Sequence, residues 1–74
     1  MKLPACSGAD AVRAFERAGW IRDRQRGSHV SLYQPGRPVV LTVPLHRELG
    51  RGLLRDLIRK AGMTVEEFQE ALRS

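Results

Sequence analysis

The sequence has little cysteine and no long apolar run. Cys6 is the only cysteine among the 74 residues, which excludes an intrachain disulfide and a cysteine-rich metal site. We therefore expect a protein of the reducing cytoplasm. The apolar stretch from Val39 to Leu45 is interrupted by Thr42 and Pro44 and falls far short of a membrane span. We expect a soluble protein with no membrane partner.

The chain also lacks internal repeats, linkers and low-complexity segments, so its 74 residues predict one small domain over residues 1–74. A domain of this size buries only about 60% of the surface that its unfolded chain exposes. We expect no second domain that could build a cleft. Any active site is then expected to lie on an open face, or to be completed by the substrate or by a partner chain.

Acidic residues are outnumbered, with eight Asp and Glu against 13 Lys and Arg and a net charge of +5. Eleven of the 13 are arginine, whose planar guanidinium suits phosphate recognition. Nine basic and three acidic residues fall between positions 22 and 60. The base composition of the genome can also raise the arginine count, but the excess on so short a chain favours an anionic partner.

Hydrophobic spacing predicts a helix at the start of the chain, capped by Ser7 and ended by Gly19. An extended segment then begins at Trp20-Ile21 and runs through Arg22–Arg26. The next strand covers 29–34, where alternation sends Val30 and Leu32 to one side and the residues between them to the other.

A turn over residues 35–38 predicts a hairpin that leads into a third strand from Val39 to Val43, ended by Pro44. A second amphipathic helix is expected from Leu53 to the stop at Gly62. Thr64 then opens a short last helix with a capping box.

The order α-β-β-β-α, with a short third helix, predicts a small α+β domain. Single-sided alternation in the second strand requires a three-stranded antiparallel sheet with the helices on one face. The other face is then open. Such a face suits a surface polymer better than a small metabolite, which binds in a concave pocket.

The motif Arg26-Gly27-Ser28-His29 stands at the start of the alternating strand. Glycine permits a backbone conformation closed to other residues, and serine offers a hydroxyl and an amide to an anion. An imidazole such as that of His29 can take up or release the protons that RNA cleavage transfers. The alternative is ordinary turn chemistry followed by a surface histidine.

Basic and aromatic side chains accompany this motif. Extended backbone can place Arg22, Arg24 and Arg26 in a row on one face, and Tyr33 shares the predicted face of His29, where it could stack on a base or simply pack. A second basic stripe recurs at every fourth position of the second helix. The candidate RNA-binding residues are Arg22, Arg24, Arg26, Gly27, Ser28, Tyr33, Arg51, Arg55 and Arg59.

Five segments in this order carry a family resemblance. They are Lys2-Leu3-Pro4, Ala18-Gly19-Trp20, Arg26-Gly27-Ser28-His29, Thr42-Val43-Pro44-Leu45-His46 and Leu53-Leu54-Arg55-Asp56-Leu57-Ile58-Arg59-Lys60-Ala61-Gly62-Met63-Thr64. Over nearly its whole length the chain resembles the HicA-type (YcfA-like) mRNA interferase toxins. Many of those toxins carry a second histidine or a bulky residue where this chain has Val30, and lysine where it has arginine. Neither departure removes a reacting group.

The resemblance implies a double-stranded-RNA-binding-domain-like fold, RNA cleavage dependent on His29, and neutralisation by a HicB-type antitoxin. We expect general acid–base catalysis without a metal or other cofactor. His46 is the candidate second proton carrier, and the alternative is that it packs in its loop or contacts the partner. The protein is expected to be a monomer when free and a hetero-oligomer with its antitoxin. Other possible functions are a non-catalytic RNA-binding module and a module that only holds an acidic partner protein.

Overall fold

The computed structural model describes residues 3–74, so Lys2 of the first resemblance segment lies outside the described residues. Three helices and three strands follow one another in the order α-β-β-β-α-α. Their bounds are α1 Gly8–Arg17, β1 Ile21–Arg26, β2 His29–Tyr33, β3 Leu41–Pro44, α2 Arg51–Lys60 and α3 Val65–Arg73. The strands form one antiparallel sheet in the order β1-β2-β3. This architecture confirms the α+β class.

Alternation in β2 determines the two faces of the sheet. Val30 pairs with Val43 and Leu32 pairs with Leu41 across β3, and all four side chains are fully buried. α1 contacts β1 and β3, and α2 contacts β3, so the helices cover this face. His29 and the other outward residues of β2 stay on the uncovered side. The predicted one-sided sheet is confirmed.

The core lies between this sheet face and the helices. Phe15 of α1 and Phe68 of α3 meet there with ring centroids 5.2 Å apart, and both are fully buried. An aromatic pair in this tilted arrangement adds about 0.5–1.5 kcal/mol to the burial of its area. The pair fixes α3 against α1 on the side remote from the open sheet face.

Helix ends follow the predicted capping residues. The Ser7 hydroxyl accepts from the Asp10 N–H at 3.1 Å, and Thr64 forms the expected capping box. α1 and α2 end in Schellman motifs at Gly19 and Gly62. α2 begins at Arg51, two residues before the predicted start, with Gly50 in the capping position.

The third strand is shorter than predicted, because it begins at Leu41 instead of Val39. The turn after β2 is closed by the Arg37 N–H, which donates to the Gln34 carbonyl oxygen at 3.1 Å. Pro38 follows and has no N–H to give to a ladder. The chain therefore reaches the β2 register only at Leu41, the partner of Leu32. Within residues 3–74, no helix combines the length and apolar character that a membrane span needs.

Candidate active site and nucleic-acid interface

The Gly-Ser pair forms a two-residue turn between β1 and β2, and Arg26 lies directly opposite His29 across it. Gly27 has a φ of 57°, and no non-glycine residue that the structure describes has a positive φ. A positive φ at the first turn residue only is the pattern of a type II′ turn, which matches the twist of the strands it joins. The motif therefore brings a guanidinium-bearing residue next to the histidine.

The end of β3 meets the same turn. His29 pairs with Pro44 on its other side, and the Leu45 N–H donates to the Ser28 carbonyl oxygen at 2.5 Å. His46 follows directly, and its side chain is exposed. The structure thus places the two histidines at the same end of the sheet, one on β2 and one on the loop after β3.

The start of α1 holds that loop in place. The Gly8 N–H donates to the His46 carbonyl oxygen at 2.9 Å, and the Leu49 N–H donates to the Cys6 carbonyl oxygen at 2.9 Å. A β-carbon at Gly8 would lie 2.0 Å from the Pro44 carbonyl oxygen, so only glycine allows this approach. No local pattern indicates this contact, because a glycine after Ser7 fits an ordinary helix start.

The expected row of three arginines on β1 is wrong. A bulge between Arg22 and Arg24 leaves Asp23 without its own partner, so Arg22 pairs with Leu32 while Arg24 pairs with Ser31. Directly paired residues share a face, which puts Arg22 on the helix side of the sheet. There its Nε lies 3.7 Å from a Glu16 carboxylate oxygen.

The bulge leaves Arg24 and Arg26 on the open face, paired with Ser31 and His29. Because Arg22 is on the other side, the open face carries two arginines and not three on the strand beside the histidine. The bulge also bends β1 and increases its twist. Tyr33 lies farther along β2 on this face, as predicted, and is exposed.

The basic side chains differ in what they contact. Arg17 donates to the Ala71 carbonyl oxygen at 2.9 Å, and Arg37 donates to the Lys60 carbonyl oxygen at 3.2 Å, so both are engaged at helix ends. Six more basic side chains lie within 4 Å of a carboxylate, and they are Arg13, Arg22, Arg24, Arg59, Lys60 and Arg73. The other basic side chains have no carboxylate within 4 Å among residues 3–74, and they are Arg26, Arg47, Arg51 and Arg55.

These unpaired guanidiniums include Arg26 at the turn beside His29 and Arg47 directly after His46. Arg51 and Arg55 are exposed on the first half of α2, as predicted. An unpaired, exposed guanidinium is available to a phosphate without first leaving a carboxylate.

Arg59, the third member of the predicted α2 stripe, is engaged within its own helix. Its guanidinium lies 2.5 Å from a carboxylate oxygen of Asp56, and Lys60 lies 3.2 Å from the other oxygen. The hydrogen bond from Arg59, followed by that from Lys60, lowers the pKa of Asp56. Arg59 is exposed, but it carries less uncompensated charge than Arg51 or Arg55.

Cys6 does not fit the role of a nucleophile. Its side chain is buried, and burial raises the pKa of its thiol, with the carboxylates of Asp10 and Glu48 raising it further. A raised pKa keeps the thiol protonated at neutral pH, and the thiolate is the reactive form. Within the part of the chain that the structure describes, no three His, Cys, Asp or Glu side chains group together as metal ligands.

Fold and surface together define a small basic α+β domain with an open sheet face and a histidine at the rim of that face. The family model described as HicA toxin of bacterial toxin–antitoxin matches residues 8–63. The chain belongs to this family of toxins, which implies an antitoxin partner. A comparison with curated proteins gives no match.

Proposed function

We propose that the protein is an endoribonuclease, an mRNA interferase that cuts RNA by general acid–base catalysis at His29. One observation carries the proposal. His29 is exposed on the open face of the sheet, at the turn between β1 and β2. Its cross-strand neighbour Arg26 has no acidic partner among the residues described. A proton carrier beside an unpaired guanidinium supplies one of the two proton transfers of phosphodiester transesterification and a positive charge for its phosphorane. Membership of the HicA toxin family supports the same activity, because the resemblance to HicA-type mRNA interferases implies cleavage of mRNA.

In the proposed reaction the 2′-hydroxyl loses its proton and its oxygen attacks the adjacent phosphorus. The bond from phosphorus to the 5′-oxygen then breaks, and that oxygen takes up a proton. His29 performs one of these two transfers, and Arg26 with Arg24 stabilises the charge on the phosphorane. The products are a 2′,3′-cyclic phosphate and a 5′-hydroxyl, so the step balances with one proton removed and one proton delivered.

His46 is the candidate for the second proton transfer. Its loop is joined to the His29 turn by the Leu45–Ser28 hydrogen bond and to α1 by the Gly8–His46 hydrogen bond. The other role for His46 is contact with the antitoxin. Replacement of His46 separates the two roles, because only a proton carrier changes the pH dependence of kcat.

The proposed partner is a HicB-type antitoxin that covers the His29 face and turns the free monomer into a hetero-oligomer. An acidic surface on that partner would complement the basic surface built by Arg24, Arg26 and Arg47. Charge complementarity makes association fast and dependent on salt. The proposed site of action is the cytoplasm, where mRNA is found.

Purified protein incubated with labelled RNA in chelator tests the proposal. We expect RNA binding at low salt and cleavage that persists in the chelator. RNA binding without cleavage would instead support a non-catalytic RNA-binding module. Absence of RNA affinity at low salt would support a module that only holds an acidic partner.

The salt dependence of RNA binding tests the role of Arg24 and Arg26. Each phosphate contact on a single strand contributes about 0.7 to the slope of log K against log salt, so replacing both arginines with alanine is expected to lower the slope by more than about one. The matched control replaces Arg13 and Arg73, which pair with Asp10 and Glu70 on helix surfaces.

Both double variants lose two positive charges, so they differ only in where the charges lie. The control is expected to keep a slope close to that of the wild type. An equal fall in both variants would show that net charge, and not the open sheet face, governs binding.

A further inference from the structure

A second group of exposed side chains occupies the open sheet face at the end remote from His29. Ile21 pairs directly with Tyr33 across β1 and β2, and the two are 42% and 40% exposed. Val40 immediately precedes Leu41, the partner of Leu32, and is 54% exposed. Val40 therefore lies one residue beyond the last pair of the β2–β3 ladder, at the end of the sheet where Tyr33 ends β2. Ile21, Tyr33 and Val40, three exposed apolar side chains at this end of the sheet, are called the apolar patch.

The apolar patch and the proposed reaction centre lie on one strand. Tyr33 and His29 are the two ends of β2 and face the same way. Four residues of extended chain span about 13 Å. A nucleic-acid strand with stacked bases spans this distance with about four nucleotides, and a strand with unstacked bases spans it with fewer. Arg24, paired with Ser31, lies between the two ends. From one end to the other, the face therefore presents the Tyr33 ring, the Arg24 guanidinium on the neighbouring strand, and the His29 imidazole.

The size and surroundings of the apolar patch favour a nucleobase over a protein as its occupant. Specific protein interfaces bury about 800 Å² on each partner, which is far more than three half-exposed side chains offer. Arg24, opposite Ser31, lies on the same face near the patch, and Arg26 lies at the far end of that face beside His29; both attract a polyanion. An aromatic ring flanked by aliphatic side chains provides a surface on which a base can stack, whatever its identity.

We propose that the apolar patch is a base-binding subsite for single-stranded RNA, with Tyr33 stacking on a base two to four nucleotides from the phosphate that is cut at His29. The inference rests on the proposed function and adds a substrate class to it. A base must leave its duplex to stack on the ring. The same sequence annealed to its complement is therefore cut more slowly than the single strand.

The test uses short oligonucleotides that contain one ribose, at the scissile position, and deoxyribose elsewhere. They are extended one nucleotide at a time on the 5′ side or on the 3′ side. With wild-type protein we expect kcat/KM to rise by about 10- to 100-fold at one extension of two to four nucleotides, on one side only. An abasic nucleotide at that position should abolish the gain.

Tyr33→Ala is expected to lose the gain from extension, so that its kcat/KM no longer rises between the shortest substrate and the extended ones. It should show no further loss with the abasic substrate, because both changes remove the same stacking contact. Tyr33→Phe keeps the ring and should retain the gain. Leu53→Ala, at an exposed leucine of α2, is the matched control and should behave like wild type.

Failure of this inference can be told apart from failure of the proposed function. If wild type and Tyr33→Ala show the same dependence of kcat/KM on substrate length, the proposed base-binding subsite is contradicted, while the proposed nuclease activity is not. If Tyr33→Ala weakens only the association with an antitoxin, the apolar patch is a protein interface. If wild type cuts none of the substrates, the proposed nuclease activity is contradicted. Fluorescence anisotropy with the intact and abasic strands then decides whether Tyr33 binds a base.

Discussion

A His29→Ala variant is expected to lose RNA cleavage by about 10²- to 10⁴-fold in kcat, the range that a positioned general acid or base contributes. Its RNA affinity should remain, because Arg24 and Arg26 still occupy the open face. The measurement is single-turnover cleavage of labelled RNA, with the binding constant determined separately. Cleavage within a few fold of wild type would remove His29 from the mechanism.

The fold of this variant should survive, since His29 is exposed and contributes no side chain to the core. An exposed substitution changes stability by about 0.5 kcal/mol, and about 1 kcal/mol moves the Tm of so small a domain by about 4–8 °C. The variant should therefore melt within about 4 °C of wild type and still bind its antitoxin. His46→Ala is the companion variant, and a shifted pH profile of kcat would identify His46 as the second proton carrier.

Gly8→Ala is expected to destabilise the fold far more than His29→Ala does. The new β-carbon would lie 2.0 Å from the Pro44 carbonyl oxygen and 2.8 Å from the Leu45 α-carbon. Both are backbone atoms, so neither can rotate away as a side chain would. We expect a loss of about 3 kcal/mol in the free energy of unfolding, at the upper end for overpacking, as measured by urea denaturation.

Gly52→Ala is the matched control, because Gly52 also lies in the first turn of a helix but a β-carbon there meets nothing within 4 Å. Alanine should stabilise α2 by up to about 1 kcal/mol through its higher helix propensity. The two glycine-to-alanine changes are thus expected to shift the free energy of unfolding in opposite directions. A Gly8→Ala protein as stable as wild type would show that α1 does not press against the end of β3.

Much of this fold could be predicted because its local signals agree. Ser7 and Thr64 are side-chain caps at helix starts, Gly19 and Gly62 end helices, and the alternation around Val30 identifies one buried sheet face. Each signal depends on residues close together in the chain. Consistency between local preference and global packing is what makes such a sequence specify one fold.

The register of β1 could not be predicted, and the site depends on it. Every residue from Ile21 to Arg26 is exposed, so no buried side chain marks which face each residue occupies. The hydrophobic pattern usually sets the register of a strand. The polar run from Arg22 to Arg26 has no such pattern, so the bulge at Asp23 could not be predicted from it. The approach of Gly8 to Pro44 was equally hidden, since it joins residues 36 positions apart in the sequence.

The most direct test of the proposed mechanism is cleavage, in chelator, of two RNAs that differ only in the sugar at the scissile position. One carries ribose there and the other deoxyribose. The proposal predicts that His29 acts on the 2′-hydroxyl, so that the ribose strand is cut to a 2′,3′-cyclic phosphate end while the deoxyribose strand stays intact. Cutting of the deoxyribose strand at that bond, or cleavage that stops in chelator, would contradict it.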